Sequence, residues 1–104
     1  MRAMESWFLH IRFLGPAEKY LKNLPGREQA LIDVDTDTMS RHDGSVKTKQ
    51  LRGPVRELIV GNHRFTYFTH QSTIYFVRGF RKKSTKTPIQ EIEYAEQVYK
   101  IIKG

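Results

Sequence analysis

Val55-Arg56-Glu57-Leu58-Ile59-Val60-Gly61-Asn62-His63-Arg64-Phe65-Thr66-Tyr67-Phe68-Thr69 is the segment from which the architecture follows. Two runs rich in β-branched and aromatic residues flank the dipeptide Gly61-Asn62, the composition of a hairpin closed by a two-residue turn. A turn of that length fixes the register. Val60 faces His63, Ile59 faces Arg64, Leu58 faces Phe65 and Glu57 faces Thr66. Because side chains alternate between the two faces of a strand, Arg64 lies diagonal to Glu57 on one face and His63 points to the other.

Downstream, Thr73 to Phe80 predicts a further strand, with Ile74, Phe76 and Phe80 on one side and Tyr75 and Val77 on the other. Three successive strands make an antiparallel meander. Thr87-Pro88-Ile89-Gln90 combines an N-cap threonine, a proline at the first helical position and a capping-box glutamine, so a helix is expected from there to the C-terminus. Ile92, Ala95, Tyr99 and Ile102 recur at helical spacing as its buried stripe, which leaves Glu91, Glu93, Glu96, Lys100 and Lys103 for solvent. Upstream, Trp7, Leu9, Ile11 and Phe13 recur at every second position, with His10 and Arg12 between them, as a half-buried strand that Gly15-Pro16 ends. Ala17 to Leu24 predicts a short helix with Tyr20, Leu21 and Leu24 inward. Arg27 to Ser40 predicts a second helix that packs through Ala30, Leu31 and Val34. His42 to Pro54, polar and basic with Gly44 and Gly53, is expected to be a loop. The expected class is α+β.

At 104 residues the chain has the length of a single domain spanning 1–104. With no cysteine, it has no means of forming disulfides, thiolate metal sites or iron–sulfur clusters. His10, His42, His63 and His70 lack metal-site spacing, and neither a metal nor a cofactor is expected. The apolar stretch from Trp7 to Leu14 is interrupted by His10 and Arg12, so it is read as neither a signal peptide nor a membrane span. Met4 is a candidate alternative start. A cytoplasmic location is the expectation.

The net charge of +7 is unevenly spread. Residues 46–87 hold ten Lys and Arg against Glu57 alone, while both flanking segments carry a net charge of −1. A solubilising surface mixes both signs, whereas acid-poor clustering with interleaved aromatics suits the phosphates of a nucleic acid. A membrane surface also attracts cations, but no basic amphipathic helix accompanies these.

Lys49-Gln50-Leu51, Arg56-Glu57-Leu58, Arg64-Phe65-Thr66-Tyr67-Phe68 and above all Gly79-Phe80-Arg81-Lys82-Lys83-Ser84-Thr85-Lys86-Thr87-Pro88, followed by Glu91-Ile92 and Ala95, resemble the RelE/HigB-type toxins of bacterial toxin–antitoxin pairs, in particular their phage-related HigB branch. The match spans about half of the chain. It implies a small α+β fold with the N-terminal strand and two helices packed on a twisted antiparallel sheet, plus a C-terminal helix. It also implies a ribosome-dependent endoribonuclease acting on messenger RNA in the ribosomal A site, and a HigA-like helix-turn-helix antitoxin as partner, through which alone DNA would be reached. The strand-start arginine corresponds to Arg64, the cluster after the last strand to Lys82, Lys83 and Lys86, and the basic residue before the hairpin to Lys49. The sequence departs at Ile59, where an arginine commonly follows the Glu-Leu pair.

RNA cleavage by the ribose 2′-OH needs charge stabilisation, a base and an acid. Arginine's planar fork suits phosphate oxygens, so Arg64 is the first candidate to stabilise the transition state, with Lys82, Lys83 and Lys86 beside it as catalytic candidates. An ion pair between Arg64 and Glu57 is the structural alternative, and the two roles are compatible. The lysines are read chiefly as phosphate grips, and crowding among them would also ease proton loss. Lys49, Arg52, Arg56, Arg81 and Tyr67 are the candidate RNA contacts, Tyr67 being equally open to a core role. Glu57 and His63 are the orienting or acid–base candidates, although His63 should face away from Arg64 and fits a turn or packing role better. A non-catalytic RNA- or ribosome-binding module is the alternative, and a regulatory partner acting only with its antitoxin is a third.

Overall fold

The computed structural model describes residues 8–104. Trp7 and Met4 lie outside the described residues. The elements are β1 (His10–Phe13), α1 (Gly15–Lys22), α2 (Gly26–Ser40), β2 (Thr48–Arg52), β3 (Val55–Val60), β4 (His63–His70), β5 (Thr73–Arg81) and α3 (Ile89–Lys103). The five strands form one sheet in the order β1-β5-β4-β3-β2. Strands β2 to β5 are an antiparallel meander, and β1 joins its far edge parallel to β5, with His10 opposite Thr73 and Phe13 opposite Phe76.

The β3–β4 hairpin has the register its turn dictates, from Val60↔His63 to Glu57↔Thr66. Gly61 carries a φ of +58°, and Asn62 is not in the left-handed region. That is the type II′ pattern, in which glycine takes the first central position. The β4–β5 hairpin is closed by Gln71 and Ser72 with φ of +48° and +67°, a type I′ arrangement without glycine.

Helices cover both faces of the sheet. Beneath α1 and α2 lies a core of Ala17, Leu21, Ile32, Leu58, Phe65 and Phe76, with Tyr20 and Leu24 packed against it. Beneath α3 lies a second core of Val55, Phe68, Val77 and Ala95, flanked by Tyr99 and Ile102. Gly79 of β5 lies directly beneath Tyr20 of α1. A Cβ there would lie 2.5 Å from Tyr20 Cδ2 and 2.7 Å from Phe65 Cε1.

Several local expectations are corrected. The segment expected as a loop, His42 to Pro54, contains β2, an edge strand of mostly polar residues; edge pairing runs through the backbone and does not require an apolar alternation. Helix α1 begins at Gly15, so Pro16 opens the helix, where its missing N–H costs nothing. Helix α2 buries Ile32, Thr36 and Met39, spaced i, i+4, i+7, while Leu31 and Val34 are exposed. Its hydroxyls bond back to the preceding turn, Thr36 Oγ1 to the Asp33 carbonyl (3.1 Å) and Thr38 Oγ1 to the Val34 carbonyl (2.8 Å), and so Thr36 is buried without stranding a polar group.

Two further corrections shape the site. A β-bulge interrupts the β4–β5 pairing, so that Thr66 faces Arg78 but Tyr67 faces Phe76. The extra residue shifts the alternation by one. Phe80, expected beside Ile74 and Phe76, is carried to the opposite face, across from Arg64. At the start of α3, the N-cap position is Pro88, with no side-chain cap. Thr87 uses its hydroxyl elsewhere.

Candidate active site

The hairpin and the bulge together place Ile59, Arg64 and Phe80 on one face of the sheet, next to Glu57 and its cross-strand neighbour Lys49. The segment from Arg81 to Pro88 wraps around this patch and closes a cavity of about 270 Å³. Six cationic residues line it: Lys49, Arg64, Arg81, Lys82, Lys83 and Lys86. Ile59, Phe80 and Pro88 give the wall an apolar part, and Glu57 and Glu91 are its carboxylates. The Lys82 N–H donates to the Asn62 carbonyl at 2.7 Å, so the lysine segment is tied to the hairpin turn.

Glu57 is 2% exposed. A carboxylate so buried needs partners. The Thr87 hydroxyl donates to Glu57 Oε2 at 2.6 Å, and Arg64 Nε lies 3.8 Å from Oε1. Arg64 in turn donates from Nη1 to the carbonyls of Gly61 (2.8 Å) and His63 (3.0 Å). The guanidinium is therefore clamped by the turn on one side and steered by Glu57 on the other. Its plane is set before any ligand arrives, which lowers the ordering cost of binding. Glu91 pairs with Arg78 (3.0 Å), whose guanidinium also lies 4.9 Å above the Tyr94 ring. That pairing leaves Glu57 as the cavity carboxylate directed at Arg64.

The remaining candidates are distributed elsewhere. Arg52 makes a two-pronged contact with Glu96 of α3 (2.9 and 2.8 Å) and does not line the cavity. This hydrogen bond holds the Glu96 carboxyl below its ordinary range. Arg56 bonds the Tyr67 hydroxyl (3.2 Å) and Thr48 Oγ1 (3.0 Å) on the opposite face, and Tyr67 is buried in the core there. His63 is also on that face, 5% exposed. Its Nε2 lies 2.6 Å from Glu28 Oε1 and its Nδ1 lies 2.7 Å from the Tyr20 hydroxyl. Because a carboxylate only accepts, Nε2 carries the proton in this chain. Burial raises the Tyr20 phenol above its ordinary value. The chain ties α1 and α2 to β4 and holds the imidazole on the face opposite the Arg64 guanidinium.

Four cavity residues carry other roles in the sequence reading: Thr87 a helix cap, Pro88 the first helical position, Glu91 a solvent position and Phe80 a place beside Ile74 and Phe76, whereas Ile59 stands there as the departure from the arginine of the resemblance. The register sets Ile59 across from Arg64, and no local signal marks the other four for the cavity. Among the described residues no group of three or more His, Asp or Glu side chains could hold a metal ion, and no helix is long and apolar enough to cross a membrane.

A five-stranded sheet between a helical pair and a C-terminal helix, with a cationic cavity at the end of β5, is the arrangement of the RelE fold. Solved structures agree on the fold. The RelE–RelB complex from Pyrococcus horikoshii OT3 is similar with a TM-score of 0.66 at 13% identity, covering 75% of this chain and 99% of that one. The toxin–antitoxin complex RelBE2 from Mycobacterium tuberculosis gives 0.58 at 24%, covering 72% and 99%. The isolated E. coli RelE toxin gives 0.58 at 14%, covering 89% and 98%. Residues 19–100 match the model of the family described as Phage derived protein Gp49-like, and the chain belongs to that family. No curated protein sequence matches it significantly.

Proposed function

We propose that this protein is the toxin of a type II toxin–antitoxin pair, of the phage-related HigB branch, and that it cleaves messenger RNA in the ribosomal A site. The observation that carries this reading is the convergence of six cations on one cavity around the buried Glu57. The RelE-like fold and the toxin–antitoxin complexes among similar structures support it. In the reaction, the ribose 2′-OH loses its proton to a base and its oxygen attacks the adjacent phosphorus. The P–O5′ bond breaks as O5′ takes up a proton, leaving a 2′,3′-cyclic phosphate and a 5′-hydroxyl. Arg64 stabilises the charge that develops on the phosphorane, because its fork is already oriented when that charge appears. Lys82, Lys83 and Lys86 grip the flanking phosphates, with Lys49 and Arg81 at the rim. Glu57 orients Arg64, and it and the lysines are the titratable groups available for the proton transfers. A HigA-like helix-turn-helix protein is the proposed antitoxin, DNA being reached only through it, and the cytoplasm is the site of action.

The test is purified protein added to translating ribosomes, with primer extension on the message. Cuts bearing a 5′-hydroxyl are expected, and Arg64→Ala should lower their rate by roughly 10²-fold or more. Intact translated message in the presence of folded, antitoxin-free protein overturns the reading. One observation favours a second reading, a non-catalytic RNA- or ribosome-binding module: Ile59 turns an apolar side chain to the cavity where the resemblance has an arginine. Salt-dependent RNA affinity without cleavage products would be its signature.

A further inference from the structure

We infer that Phe80 is a stacking platform for an unpaired nucleobase, and hence that the cavity takes a nucleotide of single-stranded RNA rather than a phosphate chain alone. This rests on the reading of the cavity as an RNA site. Phe80 faces the cavity only because of the bulge. Without the additional residue in β5 the alternation would bury its ring beside Ile74 and Phe76, whereas the observed pairing sets it across from Arg64. Directly opposed side chains on neighbouring strands have Cβ atoms roughly 5 Å apart. The two side chains therefore start side by side on the cavity face. Phe80 is also the one aromatic side chain lining the cavity among the described residues. Phe80 is half-buried, and among the described residues no other ring packs against it. The other core phenylalanines of the sheet differ: Phe65, Phe68 and Phe76 are fully buried and each contacts further rings. Ile59 and Pro88, also on the cavity wall, extend the apolar surface, while Lys82, Lys83 and Lys86 hold the phosphates. A purely electrostatic site has no use for an apolar wall. A base does, because its faces are apolar and stacking on an aromatic tolerates any sequence.

The test compares two oligomers with the same phosphates, a short single-stranded RNA and its abasic counterpart. The wild-type protein should bind the base-bearing oligomer about tenfold more tightly, the equivalent of one stacked base. Phe80→Leu should bring that affinity down to the abasic value and leave abasic binding unchanged. Phe80→Trp should keep the preference and show indole fluorescence quenched by the RNA but not by the abasic oligomer, and this variant decides the matter if Phe80→Leu does not fold. Equal binding of both oligomers by the wild type, or equal losses for both in Phe80→Leu, overturns the stacking role while leaving RNA binding intact. Failure to bind either oligomer overturns the RNA reading and the stacking role with it.

Discussion

Thr87 carries a consequence at the scale of one hydroxyl. It donates to a carboxylate buried in a cationic cavity, and Glu57 in turn faces Arg64. Thr87→Val keeps the shape and removes the donor, leaving a buried charge short of a partner; the cost in stability is about 1–3 kcal/mol. We expect a lower denaturation midpoint for Thr87→Val, together with a fall in cleavage rate larger than any change in RNA affinity, because Glu57 no longer steers the guanidinium. Thr87→Ser should restore both. Equal behaviour of the Ser and Val variants would show that the hydroxyl is idle. Nothing in the sequence announced this bond. Thr-Pro before a glutamine has the signature of a helix cap, and the signature is local, whereas the partner that claims the hydroxyl lies thirty residues upstream across the sheet. Arg64 was legible for the opposite reason. A two-residue turn leaves a single register, and the register set Arg64 beside Glu57.

Elements show the same division between local and distant causes. The hairpin and helix α3 follow from turn chemistry and apolar spacing. The face of α2 does not, because Leu31 and Val34 have the hydropathy of buried residues but point away from the sheet, and Thr36 is buried with its hydroxyl satisfied by its own helix. The bulge is likewise invisible to a count of alternating residues. At the β4–β5 turn, Gln71 and Ser72 both occupy the left-handed region, which costs L-residues roughly 1–2 kcal/mol each. Replacing the pair by Gln71→Asn and Ser72→Gly, the sequence this turn favours, should raise stability by about 1 kcal/mol. The reading is a higher midpoint in urea with an unchanged slope, and a midpoint that stays put would mean that the turn is unstrained. Helix α3 is anchored to β2 through Arg52 and Glu96, and the Arg52 hydrogen bond lowers the Glu96 carboxyl below its ordinary 4.5. A carboxyl lowered by folding stabilises the fold above its unfolded value and loses that contribution as pH falls through the folded one. Acid unfolding below about pH 4.5 should therefore begin at lower pH for the wild type than for a variant with a comparable carboxyl left unpaired, Arg52→Gln. Coincident acid-unfolding curves for the two proteins would mean that the pair contributes nothing.

For the whole molecule, the excess of charge between residues 46 and 87 resolves into separate duties. Six of its ten cations line the cavity; Arg52 and Arg78 are occupied by glutamates of α3, Arg56 lies on the other face, and Lys47 is exposed just before β2. The count in the sequence overstated the ligand-facing charge, because pairing across the sheet cannot be read from composition. If the six cavity cations meet phosphates, the logarithm of RNA affinity should fall with the logarithm of salt at a slope of roughly −4. Lys86→Met should make that slope shallower by about 0.7. A slope of −6 or steeper would bring the paired arginines into the interface. The sheet order also governs how the chain comes together. Strands β2 to β5 are joined by short connections and gather Lys49, Glu57, Arg64 and Phe80 through near neighbours, but β1 waits for Thr73 to Phe76, far along the chain. Contacts of that separation form late, since loop closure has to precede them. During synthesis, therefore, the two helices that follow β1 emerge with their apolar stripes uncovered, and the segment most exposed to chaperones and proteases is one that packs on the face of the sheet opposite the cavity.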